Sequence, residues 1–84
     1  MAQDKPAHKI QLGRIRVAIW ANKNGEDKVW FNVTMSRLYN DADGWKDSCS
    51  YRRDDLPIAA KALDMAYDWI WKAENAHEPV VQES

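Results

Sequence analysis

The sequence predicts an α+β domain: a curved antiparallel sheet of three to four strands joined as a meander, followed by one long C-terminal α-helix packed on one face. Three observations predict it. Residues 14–20 and 29–39 are β-rich and alternate in side-chain character, Asn24-Gly25 and Asp43-Gly44 punctuate the runs as turns, and beyond Arg53 the apolar period becomes helical. Residues 9–12 form a short alternating stretch that ends at Gly13. In residues 14–20, Ile15, Val17 and Ile19 share one side, as in a half-buried strand. Asn24-Gly25 tolerates the positive φ of a tight hairpin, so the chain should reverse there. The next strand, 29–39, sets Val29, Phe31, Val33 and Met35 against Trp30, Asn32, Thr34 and Ser36. Its eleven residues would span about 36 Å, long enough to expect a bend or bulge. A turn over 40–44 then delivers residues 45–52 as the last strand.

Asp54 or Asp55 is placed to N-cap the helix, Pro57 suits its first turn, and the alanine-rich run extends to Glu74. The helix should be about 28 Å long. Leu56, Ala59, Ala60, Leu63, Ala66, Tyr67 and Ile70 form the expected core stripe. Ile58, Ala62, Met65 and Trp69 form a second apolar stripe beside it, more than one sheet needs, and this predicts a helix-mediated homodimer.

The chain has 84 residues and 9.7 kDa, room for one small domain, with residues 8–75 as the expected folded unit between a disordered leader (1–7) and tail (76–84). A lone cysteine, Cys49, forms no internal disulfide, and no His/Cys cluster has zinc spacing. No cofactor or metal is expected. The first dozen residues contain neither a signal-like apolar run nor a membrane span, and the expected location is the cytoplasm.

Charge is distributed unevenly behind a formal net charge of −1. Residues 8–53 carry nine Lys/Arg against five Asp/Glu, whereas residues 54–84 carry two against seven. The sheet half is basic and the helix half acidic. If Trp45, Cys49 and Tyr51 join Ile15, Val17, Ile19 and the 29–35 apolar set on the helix side, the outer face presents Arg14, Arg16, Trp20, Trp30, Asn32, Thr34, Lys46, Ser48, Ser50 and Arg52, without a carboxylate. Cations beside exposed tryptophans suit a single-stranded nucleic acid, whose backbone follows positive charge while its bases stack on rings. DNA is the leading ligand and RNA the alternative. Arg37 completes the expected contact set.

The succession Ile10-Gln-Leu-Gly-Arg14-Ile-Arg-Val, turn, Val29-Trp-Phe-Asn-Val, Asp43-Gly44 turn, basic strand and acidic-capped helix resembles the positive cofactor four family of transcriptional coactivators and their bacterial relatives, over residues 8–74. The resemblance implies a curved four-stranded sheet with one helix, dimerisation largely through that helix, and single-stranded DNA crossing the sheet. Carried over, it places Arg14, Arg16, Trp20, Trp30, Lys46 and Arg52 on the DNA path, and Ile58, Met65 and Trp69 at the dimer contact. The segments Phe31-Asn-Val-Thr, Ser36-Arg-Leu-Tyr39, Gly44-Trp-Lys-Asp47 and Arg53-Asp-Asp-Leu-Pro57 are also similar to a group of small bacterial and mobile-element proteins, a likeness that brings no activity with it. The family's lysine-rich segments have no counterpart in this slightly acidic chain.

Other motifs lead to bland readings. Asp41-Ala-Asp-Gly-Trp-Lys-Asp47 lacks the ligand set of a calcium loop, and Asp54-Asp55 is explained by capping. His8 and His77 have no nucleophile at a telling position, and an enzyme is not expected. The competing reading is a protein-interaction module of a phage or mobile element with no nucleic-acid ligand.

Overall fold

The computed structural model describes residues 5–26 and 28–75. Strands β1 (His8–Leu12), β2 (Ile15–Lys23), β3 (Val29–Asp41) and β4 (Gly44–Ser48) form one antiparallel sheet in the order β1-β2-β3-β4. A 3-10 turn at Arg53–Asp55 leads into α1 (Leu56–Glu74). The predicted fold class and element order are present. Ala7 N–H donates to Ile19 C=O at 2.7 Å, so the sheet already holds the chain ahead of His8. The expected leader before Lys5 and the expected tail at 76–84 lie outside the described residues.

Each hairpin has its own device. Leu12 faces Ile15 across a two-residue turn that Gly13 enters at φ +59°, in the left-handed region that favours glycine. Between β2 and β3 the Asn24 side chain does what positive φ was expected to do. Its Oδ1 accepts Glu26 N–H at 2.8 Å and Lys28 N–H at 3.1 Å, and the reversal is wider than a two-residue turn because Lys23 faces Val29. Between β3 and β4 the turn is tighter than expected. Asp41 faces Gly44, Asp41 Oδ1 accepts Asp43 N–H at 2.8 Å, and Gly44 takes φ +112°.

That tight turn decides the faces of β4. Both ladders of β3 run without a register break, from Lys23↔Val29 through Ile15↔Arg37 to Asp41↔Gly44, and the expected bulge is absent. Pairing Asn40 with Trp45 puts Trp45 on the face of Trp30, Asn32 and Thr34, whereas Lys46 and Ser48 oppose Tyr39 and Arg37 on the helix side. The sequence-based faces of β4 are therefore inverted. The strand also stops at Ser48 instead of reaching Arg52, because Ser48 Oγ accepts Ser50 N–H at 3.0 Å and turns the chain. Cys49, expected in the core, is exposed as a result.

The core is small and one-sided. Ile10, Ile15, Val17 and Ile19 meet Ala59, Ala62 and Ala66 of α1, which lies over β1 and β2. Burying Ile15, Val17 and Ile19 contributes about 1.5–3 kcal/mol each. Leu56, Leu63 and Tyr67, expected in the core stripe, are exposed, Tyr67 to 65%. The alanines form the contact centre, and their short side chains bring the helix backbone close, so the bulkier neighbours flank it. Trp69 closes one end, stacked on His8 (centroids 5.1 Å apart, planes 8°) and edge-on to Phe31 at 5.6 Å.

The connection from β4 to α1 is tied to the helix side of β3. Asp55 Oδ2 accepts Arg52 N–H at 2.8 Å and pairs with Arg37 Nε at 3.4 Å. Its carboxylate is thus turned back into the connection and makes no side-chain capping hydrogen bond to α1, contrary to the expected cap. Tyr51 Oη donates to Met35 C=O at 2.7 Å. Burial raises the Tyr51 pKa above the ordinary phenol value, the Cys49 thiolate adds to this, and Arg37 opposes it. The folded state thus holds the phenolic proton more tightly than the unfolded chain does. The stability from this group is intact below the unfolded phenol's pKa and is lost as pH rises through the folded one. Denaturant unfolding should show native stability falling more steeply above about pH 10 than that of Tyr51→Phe, which costs about 1 kcal/mol at neutral pH.

Candidate nucleic-acid interface

Because α1 occupies one side of the sheet, the opposite side is an open surface built by strand alternation. It carries Lys9 and Gln11 from β1, Arg16, Ala18 and Trp20 from β2, Trp30 to Leu38 at even positions of β3, and Trp45 and Asp47 from β4. Arg14 continues the parity of β2, since its C=O accepts Leu38 N–H at 2.8 Å. The six expected contacts up to Thr34, namely Arg14, Arg16, Trp20, Trp30, Asn32 and Thr34, thus share this face.

The remaining expected contacts do not. Arg37 points to the helix side, where its Nε donates to Ser50 C=O at 2.9 Å and its guanidinium lies 5.8 Å from the Tyr39 ring. It is a structural tie between β3 and the connection. Lys46 sits on that side too, 3.4 Å from Asp41 and 3.5 Å from Asp43. Ser48 is used in the turn that ends β4. Ser50 and Arg52 lie beyond β4, and Arg52 lines a cleft of about 380 Å³ with Arg14, Arg37, Asn40 and Asp54 at the end of the sheet.

Two residues enter the face that parity had misplaced. Trp45 is 63% exposed, with the Arg14 guanidinium 6.0 Å from its ring, and with Leu38, Gln11 and Arg16 it lines a depression of about 460 Å³. Asp47 brings a carboxylate to the centre, where it pairs with Arg16 at 2.9 Å and accepts from Ser36 Oγ at 3.4 Å. The expectation of a face free of acids is corrected. A second depression of about 300 Å³ runs from Lys9 and Arg16 to Trp20 and Thr34, and Trp20 Nε1 donates to Thr34 Oγ1 at 3.0 Å. That bond fixes the Trp20 indole on the sheet. Among the described residues, Lys9 and Arg14 have no carboxylate partner on this face.

The expected dimer residues also divide. Ile58 and Met65 are exposed, but Ala62 is fully buried against the chain's own sheet and Trp69 is engaged by His8 and Phe31. Ala62 and Trp69 are therefore core residues. Leu63, Tyr67 and Trp71, four residues apart, form an exposed apolar row that the sequence had assigned partly to the core.

Among the described residues no three His, Cys, Asp or Glu side chains are grouped to hold a metal ion, and no helix is long and apolar enough to cross a membrane. Fold and face together define an open four-stranded meander backed by one helix, with an aromatic and partly cationic outer surface. No family model matches this chain, and no curated protein or solved structure is significantly similar to it.

The Arg16–Asp47 pair is solvent-exposed, so it adds little to stability, on the order of 0–1 kcal/mol. Asp47→Asn should unfold within about 1 kcal/mol of the wild type in urea.

Proposed function

We propose that this chain binds single-stranded nucleic acid, DNA foremost, across the outer sheet face, without base-specific readout, and acts as a homodimer. The observation that carries the reading is that Trp20 and Trp30 at one end and Trp45 at the other lie on one uncovered face, with Arg14 beside Trp45 and Lys9 across from Ala18, both free of carboxylate partners among the described residues. The exposed Trp30 and Trp45 indoles, and the half-exposed Trp20, offer stacking surfaces to any base, and the cations follow phosphates. The resemblance to the positive cofactor four family supports the same ligand and the same face. Trp45 replaces Lys46 in the contact set, and Arg37, Ser48 and Ser50 leave it. Self-association draws on the exposed apolar surface of α1, with Ile58 and Met65 retained from the expected contact.

The face has few free cations, so binding should be driven more by stacking than by charge. Arg14, Lys9 and, once released from Asp47, Arg16 would neutralise about three phosphates. That predicts a log–log salt slope of about −2 for a single strand. Fluorescence anisotropy of labelled oligo(dT), oligo(rU) and duplex DNA across a salt series tests this directly, with tryptophan quenching as the second signal. Single strands should bind more tightly than duplex, and DNA at least as tightly as RNA. Trp45→Ala and Trp30→Ala should each cost about 1–3 kcal/mol. Asp47→Asn should tighten binding, because it removes a negative charge and frees Arg16. Absence of quenching and of an anisotropy change at low salt would sink the proposal and favour the protein-interaction module.

A further inference from the structure

Strand β3 has neighbours of unequal length. β2 pairs with it from Val29 to Arg37, whereas β4 pairs only from Arg37 to Asp41. Among the described residues, the side of β3 turned away from β2 has no strand partner over 29–36. Leu38 N–H points to Arg14, so the even-numbered residues of β3 use their backbone groups on β2. The odd-numbered residues Val29, Phe31, Val33 and Met35 direct theirs to the open side. Tyr51 Oη occupies Met35 C=O, which leaves an open edge over 29–34.

Edges of this length are normally blunted by charge, proline or a bulge. Residues 29–34, Val-Trp-Phe-Asn-Val-Thr, contain no charge and no proline, and the ladder through them is regular. The side chains beside the edge are exposed on both faces, Val29 to 51% and Val33 to 39% on the helix side, and Trp30 on the outer side.

We infer that this edge pairs antiparallel with the same edge of a second copy of the chain, joining two four-stranded sheets into one. An antiparallel edge is its own complement about a twofold axis, since each N–H and C=O on one copy meets its counterpart on the other. With no charge in the segment, identical copies meet without repulsion. The helix supplies the second reason for a like partner. α1 covers β1 and β2 and leaves Val29 and Val33 bare, and a twofold pairing lays each copy's Val29, Phe31 and Val33 beside those of its mate, between the two helices. The outer faces merge at the same time, so the Trp20 and Trp30 indoles of the two copies share one surface. This pairing stands whether or not that surface binds nucleic acid.

Sedimentation velocity of the full chain over a concentration series tests the inference, with Val33→Lys and Met65→Lys compared with the wild type. Residue-resolved amide exchange of the wild type, dilute and concentrated, serves as the measurement that needs no variant. Val33→Lys should weaken self-association by about tenfold or more, a charge on the edge being the usual block to such pairing. The Phe31 and Val33 amides should exchange about tenfold more slowly in the concentrated sample, because each becomes hydrogen-bonded across the pair. If Val33→Lys fails to fold, the exchange rates decide alone. A monomer at every concentration overturns the pairing. So does a dimer in which both amides exchange at the dilute rate, or one that Met65→Lys dissociates and Val33→Lys leaves intact. Oligonucleotide anisotropy on Val33→Lys reads the outer face separately, so loss of pairing is not confused with loss of ligand binding.

Discussion

Everything in this molecule depends on the contact between three alanines of α1 and the Ile15, Val17 and Ile19 row of β2. Ala59, Ala62 and Ala66 bring the helix axis close to the sheet, which buries the strand side chains almost completely. The same closeness limits how much the helix covers. A single helix above β1 and β2 leaves the helix-side face of β3 bare, and its own bulky residues Leu63, Tyr67 and Trp71 flank the contact instead of filling it. A chain of 84 residues has little else with which to enlarge the core. The exposed apolar surface on the helix side is a consequence of how tightly this small core is made.

The two faces of the sheet consequently do different work. On the helix side, cations are committed to structure: Arg37 ties β3 to Ser50 and Asp55, and Lys46 answers the carboxylates of the β3–β4 hairpin. On the outer side, Trp30 and Trp45 remain exposed, and Asp47 holds Arg16 in place. A sheet half that is basic by count is thus only weakly basic on its open face. Aromatic surface, more than positive potential, distinguishes that face from an ordinary solvated sheet.

Much of this was legible from the residues, and the misreadings of β4 have a common origin. Clean alternation in 14–20 and 29–36 pointed to the right faces for Arg16, Trp20, Trp30, Asn32 and Thr34, because a period of two over a continuous strand leaves no freedom. Arg37, expected in the contact set, lies on the helix side by the alternation of β3 itself. In β4 the errors began at the Asp41–Gly44 turn, where one residue of loop length inverts every side chain that follows. Trp45 and Asp47 were lost from the outer face, and Lys46 and Ser48 wrongly gained, through that single difference. The short stop at Ser48 was equally hidden, since it depends on a hydroxyl bonding two residues ahead. An Asp-Ala-Asp-Gly run with Gly at a left-handed position was the available signal for the tighter turn.

Sequence alone determined the element order, the meander, the helix from 56 to 74 and the faces of 14–20 and 29–36, because these follow from local periodicity and turn chemistry. Tertiary structure decided the rest: which helical residues touch the sheet, which face of β4 looks outward, and where the edge of β3 stays open. Periodicity offered the helix two adjacent apolar stripes and pointed to one as the core, whereas the buried contact draws on both, Ala59 and Ala66 from the first and Ala62 from the second. The structure sets the alanines against Ile15, Val17 and Ile19 and leaves Leu63 and Tyr67 exposed at the flank, and short side chains at the contact permit close approach of backbone to sheet. That arrangement is a property of two packed surfaces, and neither segment carries it by itself.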